Sequence, residues 1–124
     1  MPVASEDSLT GFGMNAQMAS LLGASPFAAG AGTGTAQVGA TQFRSKSTEV
    51  TPTGGNTAYI LQNYGISEPI FVYNSAASAV TALVFPPVGG TMNGTLNASV
   101  SVPQNKGAWI WQYKKGFWAS VVSA

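Results

Sequence analysis

The sequence predicts an all-β protein, a small antiparallel β-sandwich or jelly-roll-like barrel of about seven strands over residues 36–124. Short runs rich in Val, Ile, Phe, Tyr, Trp and Thr recur, and no helical pattern separates them. Turn-forming residues punctuate the chain regularly between these runs. The runs cover about residues 40–50, 57–64, 69–74, 79–85, 95–102, 107–113 and 117–122.

An N-terminal arm and linker, residues 1–35, precedes the predicted domain. The arm carries Glu6 and Asp7 and no cation, whereas residues 36–124 carry five cations and two anions, a net charge of +3. Residues 23–35 are nearly all Gly, Ala, Ser and Thr. These side chains are too small to fill a core, so the segment is typical of a linker or an extended arm.

A short apolar stripe lies within the arm. Four residues between Gly13 and Gly23 recur at helical spacing: Met14, Met18, Leu21 and Leu22. A helix of this length is marginal in water by itself, so we expect it to dock on a partner. The apolar residues of the arm lie outside the predicted core and are the candidates for docking on a partner: Phe12, Met14, Met18, Leu21, Leu22 and Phe27.

Several predicted strands are apolar on both faces. In residues 70–73, 80–85 and 117–122, both sets of alternating positions carry large or branched side chains, whereas residues 98–102 alternate Val with Ser. One face of such a strand packs in the core of its own domain, and the other face needs a second cover. We expect a neighbouring subunit to provide it. The predicted subunit interface consists of Phe71, Tyr73, Trp109, Trp111 and Trp118.

Composition excludes several classes of site and partner. The chain of 124 residues contains no cysteine and no histidine, which excludes disulfides, thiolate nucleophiles, zinc ligation by Cys or His, and imidazole catalysis. The net charge is only +1, so nucleic acid is not an expected partner. The first residues lack signal-peptide cations, and no apolar run approaches the roughly 20 residues that cross a bilayer. We expect no membrane partner and synthesis in the cytoplasm.

Two candidate sites also have a structural interpretation. Glu49 and Glu68 would form an acid-base pair only if they met, and both positions are typical of solvated carboxylates. The row formed by Trp109, Trp111 and Tyr113 suits stacking on sugars or bases, but the scarcity of accompanying polar side chains favours a core or interface stripe. We therefore predict no catalytic residue, no cofactor, no metal site and no enzymatic activity.

Residues 72–94 resemble a pattern found in small structural proteins of tailed bacteriophages. A strand ends in Asn74, a turn of small residues follows, another strand runs into Pro86, and Gly-Gly-Thr-Met-Asn-Gly closes the unit. The similarity continues through Ser-Val-Ser-Val-Pro at 99–103, a Lys-Gly turn, an aromatic strand and a final Gly-Phe-Trp-Ala hairpin. It covers most of residues 58–122.

The resemblance implies a capsid decoration (cement) protein, a β-rich homotrimer on the surface of a virion. Such a protein binds the outer surface of the major capsid protein lattice and stabilises the head. Head-fibre, tail-fibre and spike modules resemble the same pattern, so a trimeric module that contacts cell-surface glycan of the bacterial host is the alternative. The lack of tandem or fibrous extensions and the Ala/Gly-rich arm favour the capsid surface.

Overall fold

The computed structural model describes residues 27–124, in which eleven β-strands and no helix are found. The predicted all-β class is confirmed. The predicted short helix near residues 14–22 lies outside the described residues. The strands are β1 (Phe27–Gly30), β2 (Thr41–Gln42), β3 (Ser47–Val50), β4 (Ala58–Ile60), β5 (Ile70–Asn74), β6 (Ala82–Phe85), β7 (Thr91–Met92), β8 (Thr95–Leu96), β9 (Val100–Val102), β10 (Gly107–Lys114) and β11 (Phe117–Val122).

The strands form two sheets, and the chain alternates between them. The order of the seven-stranded sheet is β1-β3-β5-β10-β11-β7-β8, and that of the four-stranded sheet is β2-β4-β6-β9. From β1 to β6, each turn of the chain adds one strand to each sheet. As a result β1, β3 and β5 are parallel, and so are β2, β4 and β6. This stacking of turns is solenoid-like.

The predicted antiparallel sandwich or barrel of seven strands is therefore wrong in strand number and in strand direction. Five of the nine strand pairs in the described residues are parallel. A chain of strands without helices predicts antiparallel pairing, because parallel neighbours are usually joined by a crossover helix. Here a strand of the opposite sheet makes the crossover, so parallel strands need no helix.

Each predicted run contains a strand, but two runs contain two. Residues 40–50 form β2 in one sheet and β3 in the other, with Phe43 buried where the chain crosses between them. Residues 95–102 divide in the same way into β8 and β9. In residues 40–50 the apolar residue at the corner stays buried, so composition alone does not reveal the break.

The first described turn of the stack begins within the segment predicted as arm and linker, residues 1–35. β1 pairs with β3, and the Gly32 N–H donates to the Asn56 carbonyl oxygen at 3.0 Å. A Cβ atom at Gly32 would lie 2.6 Å from the Ala58 carbonyl oxygen. The small residues here allow two backbones to approach closely. Residues 27–35 thus pair and pack with strands that follow them, and the predicted domain boundary at residue 35 stays a prediction.

The core lies between the two sheets, and a buried asparagine joins them. Asn74 Nδ2 donates to the carbonyl oxygens of Val80 and Val102, both at 2.8 Å, and its Oδ1 accepts from the Ala76 N–H at 3.0 Å. Because Val102 lies in β9, these hydrogen bonds link the seven-stranded sheet to the four-stranded sheet. The largest buried apolar side chains are Trp118, Tyr59, Phe43, Leu61, Ile70, Met92 and Ile110.

The C-terminal strands complete the sheets largely by antiparallel pairing. β10 lies between β5 and β11 and is antiparallel to both. Its turn into β11 contains Lys115 and Gly116, and Gly116 has a φ of 81°. The β7–β8 hairpin turns at Asn93 and Gly94, whose φ values of 52° and 89° are those of a type I′ turn.

Candidate functional site

Aromatic side chains cover the outer face of the seven-stranded sheet. In β10, Ala108, Ile110 and Gln112 are buried in the core, so the alternate residues point outward. Pairing with β5 and β11 extends this outer surface on both sides. We call this surface the aromatic face, and its members are Phe71, Tyr73, Trp109, Trp111, Tyr113, Phe117 and Val121.

Trp109 lies at the centre of the aromatic face. Its register partners are Phe71 on β5 and Val121 on β11. The ring centroids of Trp109 and Phe71 lie 4.9 Å apart, yet Trp109 remains 50% exposed and Val121 61% exposed. A cluster that leaves this much apolar area in water is a candidate interaction surface.

Two open grooves flank Trp109. The first, of about 410 Å³, is bounded by Tyr73, Trp109 and Gly107, and Gly107 has no side chain to fill it. The second, of about 460 Å³, is lined by Ser67, Pro69, Trp109, Trp111 and Val121. Both grooves are walled mainly by aromatic and aliphatic groups, so they suit apolar side chains of a partner.

Charged side chains lie around the aromatic face rather than at its centre. Glu49 is exposed on β3, in register with Tyr73. Lys114 and Lys115 lie at the β10–β11 turn, where the Lys114 Nζ atom is 4.9 Å from the Phe117 ring centroid. The face thus has an acidic flank and a basic end, and a centre without charge is typical of protein interfaces.

The structure brings together most of the predicted interface residues but separates Trp118 from them. Trp118 is 1% exposed, and its ring meets that of Tyr64 edge-on with 6.5 Å between centroids. It points inward because it pairs with the buried Gln112 across β10 and β11. Trp118 is therefore a core residue. The predicted residues that do lie on the aromatic face are Phe71, Tyr73, Trp109 and Trp111.

Sequence reasoning missed Phe117 and Val121 as members of the same surface. Residues 117–122 are apolar at both sets of alternating positions, so the pattern alone does not say which set points outward. The register with β10 decides it, because Val121 pairs with the outward-facing Trp109. Phe117 and Val121 lie on the opposite side of the strand from Trp118. The sequence could therefore have placed them on the outer face only if Trp118 had first been recognised as a core residue.

The predicted docking residues of the arm fall mostly outside the described residues. Phe27 is the exception and begins β1, where it pairs with Thr48. The Arg44 guanidinium carbon lies 5.7 Å from the Phe27 ring centroid, a cation–π contact within the chain. Phe27 is therefore part of the sheet. The docking residues outside the described range are Phe12, Met14, Met18, Leu21 and Leu22.

The two carboxylates considered as an acid-base pair have separate surroundings. Glu68 Oε2 accepts from the Gly65 N–H at 3.1 Å and lies 3.7 Å from Lys46 Nζ. Glu49 lies instead on β3 beside the aromatic face. Across residues 27–124, no group of three or more acidic, His or Cys side chains is placed to hold a metal ion. The same residues contain no helix that is long and apolar enough to cross a membrane.

Two buried tyrosines have raised pKa values, and the hydroxyl of each donates a hydrogen bond to a backbone carbonyl oxygen. Burial raises the pKa of Tyr59 to about 12, and its hydroxyl donates to the Gly30 carbonyl oxygen at 2.5 Å. Burial also raises the pKa of Tyr64, whose hydroxyl donates to the Ser45 carbonyl oxygen at 2.6 Å. These hydroxyls serve the fold and lie among core residues.

The aromatic face is the largest concentration of exposed apolar side chains in the described residues. The chain matches no protein-family model, no curated protein and no solved structure. The chemistry of the face is that of a binding surface for apolar groups, with charges at its margins to orient a partner.

Proposed function

We propose that the protein is a capsid decoration (cement) protein of a tailed bacteriophage, which binds the outer surface of the major capsid protein lattice as a homotrimer and stabilises the head. The aromatic face carries the homotrimer of this proposal, because an apolar surface of this extent indicates a permanent protein partner. The resemblance of residues 58–122 to structural proteins of tailed bacteriophages supports a phage particle as the assembly. Only 7% of the residues are charged, which favours a protein whose surface is partly covered by other subunits of an assembly.

Binding alone accounts for the stabilisation of a shell. A protein that binds the finished lattice and not the separated subunits lowers the free energy of the closed shell. Three copies in a homotrimer bind together, so weak individual contacts give strong overall binding. The 26 residues before β1 contain the predicted docking stripe and span at most about 85 Å if fully extended. One trimer would thus contact several capsid subunits.

The heat stability of particles tests this proposal. We expect particles without the protein to assemble, to release their genome at a lower temperature, and to regain stability when purified protein is added. Because the contacts are apolar, this rescue should change little between low and moderate salt. Normal heat stability without the protein, with only a handful of copies on each wild-type virion, would contradict the proposal.

Paired substitutions in the full chain test where the lattice is bound. Leu21→Glu with Leu22→Glu places two charges in the predicted docking stripe, outside the described strands. We expect this variant to keep the wild-type circular dichroism and mass but to lose co-sedimentation with stripped particles. Thr81→Glu with Ser101→Glu adds the same charge at exposed positions and is the control. Full binding by the arm variant would place the lattice contact on residues 27–124.

A trimeric fibre or spike module that contacts host cell-surface glycan is the second candidate. Trp109 favours it, because a half-exposed tryptophan between two grooves is a platform on which sugar rings stack. Glycan hydroxyls also need hydrogen-bond partners, and the grooves offer few polar side chains. This candidate predicts the reverse outcome: heat stability is unaltered without the protein, and adsorption to host cells is impaired.

A further inference from the structure

We infer that the aromatic face is buried against a second copy of this chain, with Trp109 of one copy entering a groove beside Trp109 of the next. This inference deepens the proposed function and rests on its homotrimer. It assigns the face to self-association, and it leaves the capsid lattice to be contacted by other residues.

The area of the aromatic face fits a subunit interface. Its exposed side chains amount to about 500 Å², since each aromatic side chain offers about 150–250 Å² and these are about half exposed. The largest apolar patch on a typical monomer covers about 300–600 Å², and a stable interface buries about 800 Å² on each partner. The face is thus near the upper limit for a monomer and supplies most of one interface.

The face carries both a projection and a hollow. Trp109 stands between grooves of about 410 and 460 Å³, and its own ring forms a wall of each. A surface that binds copies of itself must offer both shapes, because each partner presents the same residues. In a closed ring, Trp109 of each copy enters a groove of the next copy. A partly exposed tryptophan inserted into an apolar groove is also the kind of residue that dominates binding energy at interfaces.

The charges at the margins of the face complement one another. Glu49 and Tyr73 lie level with Gly107 at the start of β10, whereas Lys114 ends the strand, about 23 Å away at roughly 3.3 Å per residue. Head-to-tail docking, the arrangement that closes rings, places the basic end of one copy against the acidic flank of the next. This attraction orients the copies, while the uncharged centre provides the contact area.

The solution mass of three variants tests the inference. Light scattering after size exclusion should give wild-type protein three times the monomer mass of 12.7 kDa at micromolar concentration. Val121→Glu places a carboxylate beside Trp109 and should give folded monomers. Trp109→Ala removes the projection and should weaken association about thirtyfold. Val88→Glu adds the same charge in the turn before β7, at 69% exposure against 61%, and should remain trimeric.

Circular dichroism shows that each variant is folded before its mass is interpreted. A monomeric wild type, or a folded Val121→Glu variant with the wild-type mass, would overturn the inference. A monomeric wild type that binds stripped particles only while Val121 is intact would overturn it by assigning the face to the lattice. Failure of the proposed function looks different: the masses change as expected, but wild-type protein gives particles no heat stability.

Discussion

The outer faces of the two sheets differ in what they expose to water. On the four-stranded sheet, Ile60, Leu83 and Phe85 are half-buried, and none of the exposed large hydrophobic residues of the described chain lies there. On the seven-stranded sheet, Trp109 and Val121 are 50% and 61% exposed. The first surface is largely covered within one chain, whereas the second leaves large apolar side chains in water, and we propose that a second copy covers it. Substitutions between the sheets should therefore change folding, and those on the aromatic face should change association.

The largest effect is expected from Asn74→Ala, which removes the hydrogen bonds between the sheets. The carbonyl oxygens of Val80 and Val102 and the Ala76 N–H lose their side-chain partner, and an unsatisfied buried polar group costs about 1–3 kcal/mol. We expect the free energy of unfolding, measured in urea, to fall by about 4 kcal/mol. Exposed Asn63→Ala is the control and should change it by less than about 0.5 kcal/mol.

If Asn74→Ala unfolds at the same urea concentration as wild type, the hydrogen bonds of Asn74 do not hold the sheets together. This result would contradict the expectation that residues between the sheets determine folding whereas residues of the aromatic face determine association.

A smaller effect is expected from Gly32→Ala in the first turn of the stack. The new Cβ atom would lie 2.6 Å from the carbonyl oxygen and 2.8 Å from the nitrogen of Ala58, so backbone must move. Overpacking of this kind costs about 1–3 kcal/mol, and we expect about 2 kcal/mol in thermal or urea unfolding. Gly54→Ala, with no atom within 4 Å of its Cβ position, is the control and should be neutral or slightly stabilising. Equal stabilities of the two variants would contradict the close packing of residues 27–35.

The smallest effect concerns pH and Tyr59. Burial raises the pKa of Tyr59 from 10.0 to about 12, so on raising the pH the unfolded chain loses this proton first. The contribution is fully present below pH 10 and is lost as the pH rises towards 12. Tyr59→Phe should therefore show a shallower loss of stability between pH 10 and 12 than wild type, and should cost about 1 kcal/mol at pH 8 through the lost hydrogen bond to Gly30.

Urea unfolding at several pH values measures both Tyr59 effects. Some loss above pH 10 should remain in the variant, because burial also raises the pKa of Tyr64. Identical slopes for wild type and Tyr59→Phe would show that the Tyr59 proton does not contribute.

Local features of the fold were predictable from the sequence, and long-range pairing was not. The β10–β11 hairpin follows from an aromatic run that ends at Lys-Lys-Gly, since neighbouring strands with a tight turn pair antiparallel. Asn-Gly at residues 93 and 94 is an equally strong hairpin signal, but β7, the strand before it, lies outside the predicted strand runs. The parallel pairing of β1, β3 and β5 joins segments about 20 residues apart, and no local pattern encodes that register.

The sequence predicts the candidate site only where the alternation of large and small residues along a strand shows which side chains share one face of the sheet. Trp109 and Trp111 alternate with smaller buried residues in β10, so alternation is enough to place them in one row. Trp118 was placed with them because both faces of its strand are apolar, and only the pairing with Gln112 turns it inward. In a strand that is apolar on both faces, the residues that face the core can be told from those that face outward only when the register with the neighbouring strand is known.

The central claim is that copies of this chain cover the aromatic face, and thiol accessibility at residue 121 tests it most directly. The chain has no cysteine, so Val121→Cys and Val88→Cys each provide a single reactive thiol. Under reducing storage and after rapid addition of a thiol reagent, Val121→Cys should react slowly at concentrations where the protein is trimeric and faster on dilution. Val88→Cys should react rapidly throughout. Equal, concentration-independent rates at the two positions would contradict the claim.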